Sequence, residues 1–385
     1  MDELEIEGRL LLDGRLVPGR IAIAGGRIAS VTPADTSAAA ADLPIVAPGL
    51  VDLHVHGFGG SDPKGDLAGM ARKLARAGTT AFLPTLFPRR DAGKLGDDAD
   101  AVWARAQALT GAVGARALGL HLEGPFLNPR AVGGLPKDEL AEPSPAALDR
   151  ILGPATGDHR GVRAITIAPE LPGAPDLIAE LRKRGVRASL GHSLATAREA
   201  TSGVKAGATG ATHLFNAMAP LHHREAGIAG VALTADELLP EIIGDLVHVG
   251  PEAFRLALRA RGPRGLCLIS DSLSGPNDDS HRFCSHGKQC VVENGSAWFE
   301  DPTAPEGRRL TGTVVGQLDA VRRLVGRGVL SVEEALVMAA ESPARALGLE
   351  DELGTLRAGL RADLVVLAGP RLALRRVLVG GQDAV

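Results

Sequence analysis

Between Pro48 and Leu349 the chain alternates eight short apolar runs with longer stretches of helical period. The runs GLVDLHVHG, TTAFLPTL, ALGLHLEG, RAITIAPE, RASLGHS, GATHLFN, EIIGDLVHV and GLCLISDS read as strands. Near-continuous hydrophobicity over about 4–8 residues marks strands buried on both faces. Between them, LAGMARKLARAG, PDLIAELRKRG and PEAFRLALRARG repeat apolar residues at helical spacing and each closes on a glycine. Glycine suits the left-handed position that follows a helix. Eight βα units over about 300 residues is the count of a closed (β/α)8 TIM-type barrel. A doubly wound parallel sheet would produce a similar pattern.

The two ends have a different texture. LEIEGRLLL, RLVPGRIAIA and RIASVTPA follow one another around the turns Asp13-Gly14 and Gly25-Gly26, as in a meander. The tail repeats this texture in GTLRAGLRADLVVLAG and LRRVLVGG. The expected organisation is a small β-sandwich domain built from both termini, residues 1–47 and 350–385, around a barrel at 48–349. The 385-residue length has room for both, because a barrel takes about 250 residues. Aromatic residues are 3% of the chain and Tyr is absent. The core must then be Ala, Leu, Val and Ile, with no platform for stacking nucleobases.

A net charge of −4 argues against a general nucleic-acid binder, which needs a basic face, but leaves room for a local pocket for a small anion. No apolar run approaches the roughly 18 residues that span a bilayer. The start, MDELEIEGRL, lacks the basic and apolar regions of a signal peptide. Three cysteines, Cys267, Cys284 and Cys290, make no disulfide framework. The expectation is a soluble, cytoplasmic protein without a membrane or nucleic-acid partner.

Polar residues cluster at the downstream ends of the predicted strands: His54, His56, Glu123, His192, His213, His248 and Asp271. In a barrel that edge carries the active site. His54 and His56 are two apart on a strand and face the same side. Glu123 would be costly to bury there without a partner. With His192 and His213 it makes a carboxylate–imidazole set suited to a catalytic Zn²⁺ with an open position. His54 and His56 make room for a second metal sharing Glu123. Asp271 then reads as the general base beside the attacking water, later an acid toward the leaving group.

These motifs resemble the N-acetylglucosamine-6-phosphate deacetylase family of the amidohydrolase superfamily. The resemblance rests on APGLVDLHVHG, GLHLEGPFLNP, LGHS, ATHLFNAM, HHREAG, a GD-x-x-HV segment, the strand-ending Asp271 and LTGT, with a matching tail. It implies hydrolysis of the N-acetyl amide of an amino-sugar phosphate on one or two divalent ions, Zn²⁺ foremost, with Fe²⁺ or another ion as alternatives. It further implies a homodimer. By the same resemblance Glu123, His192 and His213 are the main metal ligands and Asp271 the acid/base. Gly134, Leu135, Asn216, Ala217, Arg224, His248, Leu310, Thr311 and Gly312 fall on substrate-binding positions. Arg224 suits a phosphate, since a guanidinium is always charged and can bind two oxygens at once.

The chain departs from the family in two places. Where the family places a histidine, the sequence Gly133-Gly134 is followed by Leu135, which cannot donate a hydrogen bond to a developing oxyanion. A second metal, a nearby histidine or a different substrate would each account for this. Ser270-Asp271-Ser272 stands where Thr-Asp-Ala is usual. Alternatives are therefore the galactosamine isomer, or another amidohydrolase acting on a cyclic amide or an N-acyl amino acid. A non-catalytic barrel would have lost its ligands, and these are present. The tract HRFCSHGKQC gathers His281, Cys284, His286 and Cys290, but not at common zinc spacings, and reads as a loop before a strand.

Overall fold

The computed structural model describes residues 4–34, 42–109, 114–154, 156–276, 281–304 and 306–384. Residues 1–3, 35–41 and 385 of the predicted β domain fall outside these. Eight parallel strands hydrogen-bond in chain order: Leu50–Val55, Thr79–Leu86, Leu120–Leu122, Val162–Ile167, Arg187–Leu190, Gly210–Ala211, Leu239–Ile243 and Cys267–Ile269. Each overlaps one of the apolar runs read as strands. The ring closes just past the eighth strand. There Asp271 N–H donates to the His54 carbonyl (3.0 Å), and His56 N–H to the Ser272 carbonyl (2.8 Å).

Two buried polar side chains tie the first strand to the last. Asp52 accepts backbone N–H groups of His54 (3.3 Å) and Ser270 (3.2 Å). Burial pushes its carboxyl up to about 7. The Gln317 amide donates to the carbonyls of Val51 (2.8 Å) and Leu268 (2.7 Å). Helices return between strands along the outside. Leu67–Arg76 is capped by Asp66, whose carboxylate accepts the Gly69 N–H, and buries Leu67, Met70, Ala71 and Leu74 on one stripe. Ala197–Ala206 opens on a reciprocal capping box between Thr196 and Glu199.

Seven strands from both ends of the chain form a separate sheet. Ile45–Pro48 lies in its middle, parallel to Leu4–Leu12 and antiparallel to Leu364–Ala368. Hydrogen bonds from Ile28 N–H to the Leu360 carbonyl and from Ala362 N–H to the Gly26 carbonyl fold the sheet over its own core. That core holds Ile6, Leu10, Ile21, Ile28, Val46, Leu364 and Leu378. The alternate residues Leu11, Ile45, Ala47, Val365 and Val377 belong to the barrel's core instead. Period-two alternation thus glues one sheet to two cores. Among the described residues no helix is long and apolar enough to cross a membrane.

The stretch after the eighth strand corrects one expectation. The 281–290 tract is not a loop but the first hairpin of a four-stranded antiparallel sheet, Arg282–Ser285, Lys288–Glu293, Ser296–Glu300 and Arg308–Thr313. Its turn places His286 (φ 37°) and Gly287 (φ 81°) in left-handed backbone, as tight hairpins require. Cys284 is exposed and Cys290 buried, both as free thiols. Cys290 packs on Leu273, Ala297 and Phe299. The spacing of the tract records strand alternation, and among the described residues no metal-capable group includes it.

Candidate metal centre and active site

Glu123, directly after the third barrel strand, is the hub onto which the other strand ends converge. Its Oε1 lies 3.0 Å from His192 Nε2 and 3.1 Å from His213 Nε2. Its Oε2 is 3.1 Å from His56 Nε2, and His54 Nε2 lies 3.5 Å from Oε1. Asp271 Oδ1 stands 3.5 Å from His54 Nε2 and 3.7 Å from His56 Nε2. The four imidazoles and Glu123 are buried. The six strand-end residues read as chemistry therefore meet at one end of the barrel.

Their backbone does some of the aiming. His192 (φ 47°), His213 (φ 32°) and Asp271 (φ 49°) all sit in the left-handed region, which costs free energy for residues with a side chain. Hydrogen bonds hold each in place. The His192 carbonyl accepts from Asn128 N–H (3.0 Å) and the Asp271 carbonyl from Thr313 N–H (2.9 Å). Next to His213, Leu214 N–H donates to the Glu241 carbonyl (2.7 Å).

The donor set fits a cation better than it fits itself. His192 Nδ1 donates to the Ala131 carbonyl at 2.9 Å, so the neutral ring turns a bare Nε2 lone pair toward Glu123. Two acceptors at 3.0 Å repel unless a cation or a proton lies between them. The Nε2 atoms of His192 and His213 approach to 3.0 Å, and those of His54 and His56 to 3.2 Å. Glu123–His192–His213 and His54–His56–Glu123 each have one ligand atom per residue within 4.8 Å of the others. Neutral histidine with carboxylate is the donor chemistry of Zn²⁺ and similar divalent ions.

Charge is strongly perturbed at the hub. Burial alone would raise the Glu123 carboxyl, but the ring of imidazoles around it holds it well below the usual range. Burial disfavours a charged His213, yet Glu123 raises that ring to about 9. Burial and then the Glu123 charge push the Asp271 carboxyl well above its ordinary value.

A cavity of about 310 Å³ opens over the cluster. Gly134, Leu135, Asn216, Ala217, His248, Leu310, Thr311 and Gly312 all line it. Arg224 does not line it: this residue is exposed on the turn at 222–225. The guanidinium groups in the lining are those of Arg130 and Arg309. His248 is oriented by Asp245, whose Oδ2 accepts from Nδ1 (2.7 Å) and from Ser296 Oγ (2.7 Å). Beside the buried Leu135 stands His286, delivered by the inserted hairpin. Its Nε2 donates to the Gly134 carbonyl (3.0 Å), and burial lowers the ring to about 4. Phe87 stacks on His56 at 3.9 Å and tilts against His286 at 4.5 Å.

Two pocket edges touch at Gly134. A methyl group there would fall 2.0 Å from Thr311 Oγ1 and 3.2 Å from its Cα. We expect Gly134→Ala to lower kcat/KM by about 10–100-fold with little change in Tm, because displacements of about 1 Å suffice for such losses. Steady-state kinetics alongside a thermal melt would check this.

An amidohydrolase family model matches residues 45–383. The chain belongs to the amidohydrolase family. An N-acetylgalactosamine-6-phosphate deacetylase of Escherichia coli O157:H7 is 34% identical over 382 residues, covering 98% of this chain and 97% of that protein. A human N-acetylglucosamine-6-phosphate deacetylase is 36% identical over 340 residues, 84% of this chain and 79% of its own. Among solved structures, a mutant N-acetyl-D-glucosamine-6-phosphate deacetylase from Mycobacterium smegmatis, in complex with N-acetyl-D-glucosamine-6-phosphate, superposes with a TM-score of 0.87. It shares 30% identity, and the match covers 100% of both chains. The Thermotoga maritima deacetylase gives a TM-score of 0.86 at 27% identity, with 99% of both chains covered.

Sequence reasoning missed several residues that support the site of this amidohydrolase. Glu170, three residues past the fourth strand, accepts from Asn128 Nδ2 (2.8 Å), Ser193 Oγ (2.7 Å) and Leu194 N–H (2.7 Å). It braces the loop behind His192. Its place at the end of RAITIAPE was the same signal used for the other strand ends. Glu241 carries no such signal, because it lies inside a strand. His286 and Arg309 reach the pocket from the inserted sheet, and only tertiary packing brings them there.

Proposed function

We propose that this amidohydrolase removes the N-acetyl group of an amino-sugar 6-phosphate, converting N-acetylglucosamine 6-phosphate and water to glucosamine 6-phosphate and acetate. The observation that carries this reading is the convergence of Glu123, four imidazole Nε2 atoms and Asp271 under a pocket whose lining includes two guanidinium groups. Glu123, His192 and His213 would hold one divalent ion, with Zn²⁺ ahead of Fe²⁺. His54 and His56 would hold a second ion with Glu123. Such an ion supplies Lewis acidity, which favours water as a nucleophile near neutral pH. Asp271 takes the proton from the water that attacks the acetyl carbonyl. It then passes that proton to the amine nitrogen as the C–N bond breaks. His248, Asn216, Ala217 and the 310–312 backbone would orient the sugar phosphate. The chain would act as a cytoplasmic homodimer, with 48–349 the catalytic barrel and 1–47 with 350–385 the β domain.

The galacto isomer is the second candidate substrate, favoured by the Escherichia coli relative that matches nearly the whole chain. Acetate release by metal-quantified protein on N-acetylglucosamine 6-phosphate, its galacto isomer and unphosphorylated N-acetylglucosamine decides between them. Chelator-sensitive turnover of the first is expected to dominate. Metal bound without turnover of any of the three would reject the substrate assignment.

The phosphate has two proposed cations, Arg309 in the lining and Arg224 on the exposed turn outside it. Asp301 fixes Arg309 through Nε at 2.7 Å, leaving its terminal nitrogens for a ligand. Arg309→Ala is expected to raise KM about 10–100-fold for the phosphorylated sugar, the loss of a charge-assisted pair. KM for the unphosphorylated sugar should stay put. Arg224→Ala in the same assay ranks the two: an equal rise there, with none for Arg309→Ala, would return the phosphate to Arg224.

A further inference from the structure

Glu241 lies within the seventh barrel strand rather than at its end, and it is fully buried. Its Oε2 stands 3.5 Å from His54 Nδ1. Neither atom has a hydrogen-bond partner among the described residues. The nearest other polar side chains are His121 and Arg187. His121 packs edge-on against His54 at 4.6 Å, but its Nδ1 is bonded to the Leu53 carbonyl and its Nε2 to Thr166 Oγ1. The terminal nitrogens of Arg187 donate to the carbonyls of Ala346 and Leu239, while its Nε, also buried, has no hydrogen-bond partner among the described residues.

We propose that Glu241 is a positioning residue for the second metal position: it accepts a hydrogen bond from the Nδ1–H of His54 and so turns the His54 Nε2 lone pair toward His56 and Glu123. A neutral imidazole carries one proton, and the partner of one nitrogen decides whether the other can bind a metal. His192 receives the same service from the Ala131 carbonyl. His54 receives it from a carboxylate, which would also bring negative charge to a place where two divalent ions would share Glu123. Burying such a carboxylate without a partner would be costly, and a protonated His54 Nδ1 supplies the partner. The inference rests on the two-ion reading of this centre.

The test is metal content and affinity, measured on parent, Glu241→Leu and Glu241→Gln by elemental analysis and competition with a chromophoric chelator. Circular dichroism checks the fold of each metal-free protein. The parent is expected to bind two ions per chain and Glu241→Leu one. Glu241→Gln keeps an acceptor but loses the charge, so its second ion should bind about 10–100-fold more weakly. Parental second-ion affinity in Glu241→Leu would overturn the role of Glu241 while leaving two ions in place. If the leucine variant does not fold, unchanged second-ion affinity in Glu241→Gln overturns it equally. A parent that binds a single ion would overturn both this inference and the two-ion reading.

Discussion

Replacing Asp271 with asparagine is expected to leave the protein folded and metal-loaded while lowering kcat by about 10²–10⁴-fold, the usual contribution of a positioned acid/base group. The substitution keeps size and shape and removes only the ability to carry the proton. It is also mild on the backbone. Asp271 sits at φ 49°, and asparagine is among the few residues that occupy left-handed backbone readily. The main-chain bonds to His54 and Thr313, which close the barrel here, do not involve the side chain. Turnover at saturating substrate, with metal content measured on the same sample, checks the prediction. A kcat within twofold of the parent would remove Asp271 from the proton path.

Glu123→Gln should have the larger effect on the centre itself. Glu123 is the one residue common to both candidate metal sets at the mouth. Removing its charge leaves four imidazole Nε2 atoms facing a neutral amide. Both ions should bind far more weakly, and activity should fall below about a thousandth of the parent, equivalent to roughly 4 kcal/mol of transition-state stabilisation. Elemental analysis after dialysis and acetate release are the readouts. Prolonged chelation of the parent should reproduce the loss, and re-addition of metal should restore the parent but not Glu123→Gln. Retention of two tightly bound ions by Glu123→Gln would refute its bridging position.

Most of the fold was legible because it rests on local repetition. Residues buried on both faces of a strand must be apolar, and eight such runs separated by helical period leave few architectures. The strand ends were legible for the converse reason: a charged or titratable residue that closes an apolar run must find a partner. That argument located His54, His56, Glu123, His192, His213 and Asp271, and the structure gathers them into one cluster, with Glu123 3.0–3.5 Å from the four imidazoles and Asp271 3.5–3.7 Å from His54 and His56. Local repetition did not reveal the hairpin at 281–290, read as a loop before a strand, because its first strand is short and its turn is formed by His286 and Gly287. The resemblance named Arg224, which the structure places on an exposed turn outside the pocket lining, since a motif in a loop specifies a residue but not which way the loop lies.

By itself, then, the sequence determined the barrel, the β domain made from both ends, and the ligand types available at the barrel mouth. Periodicity and the cost of burying unpaired polar groups act over a few residues and can be read along the chain. Tertiary structure decided the rest. The left-handed backbone of His192, His213 and Asp271 exists only because bonds from distant loops hold it. Glu241 meets His54, nearly 190 positions away, only because the barrel interior brings the seventh strand behind the first. His286 and Arg309 enter the pocket because an inserted sheet folds over it. Contacts between residues far apart in sequence depend on how the ring closes, and closure depends on the packing of the whole chain.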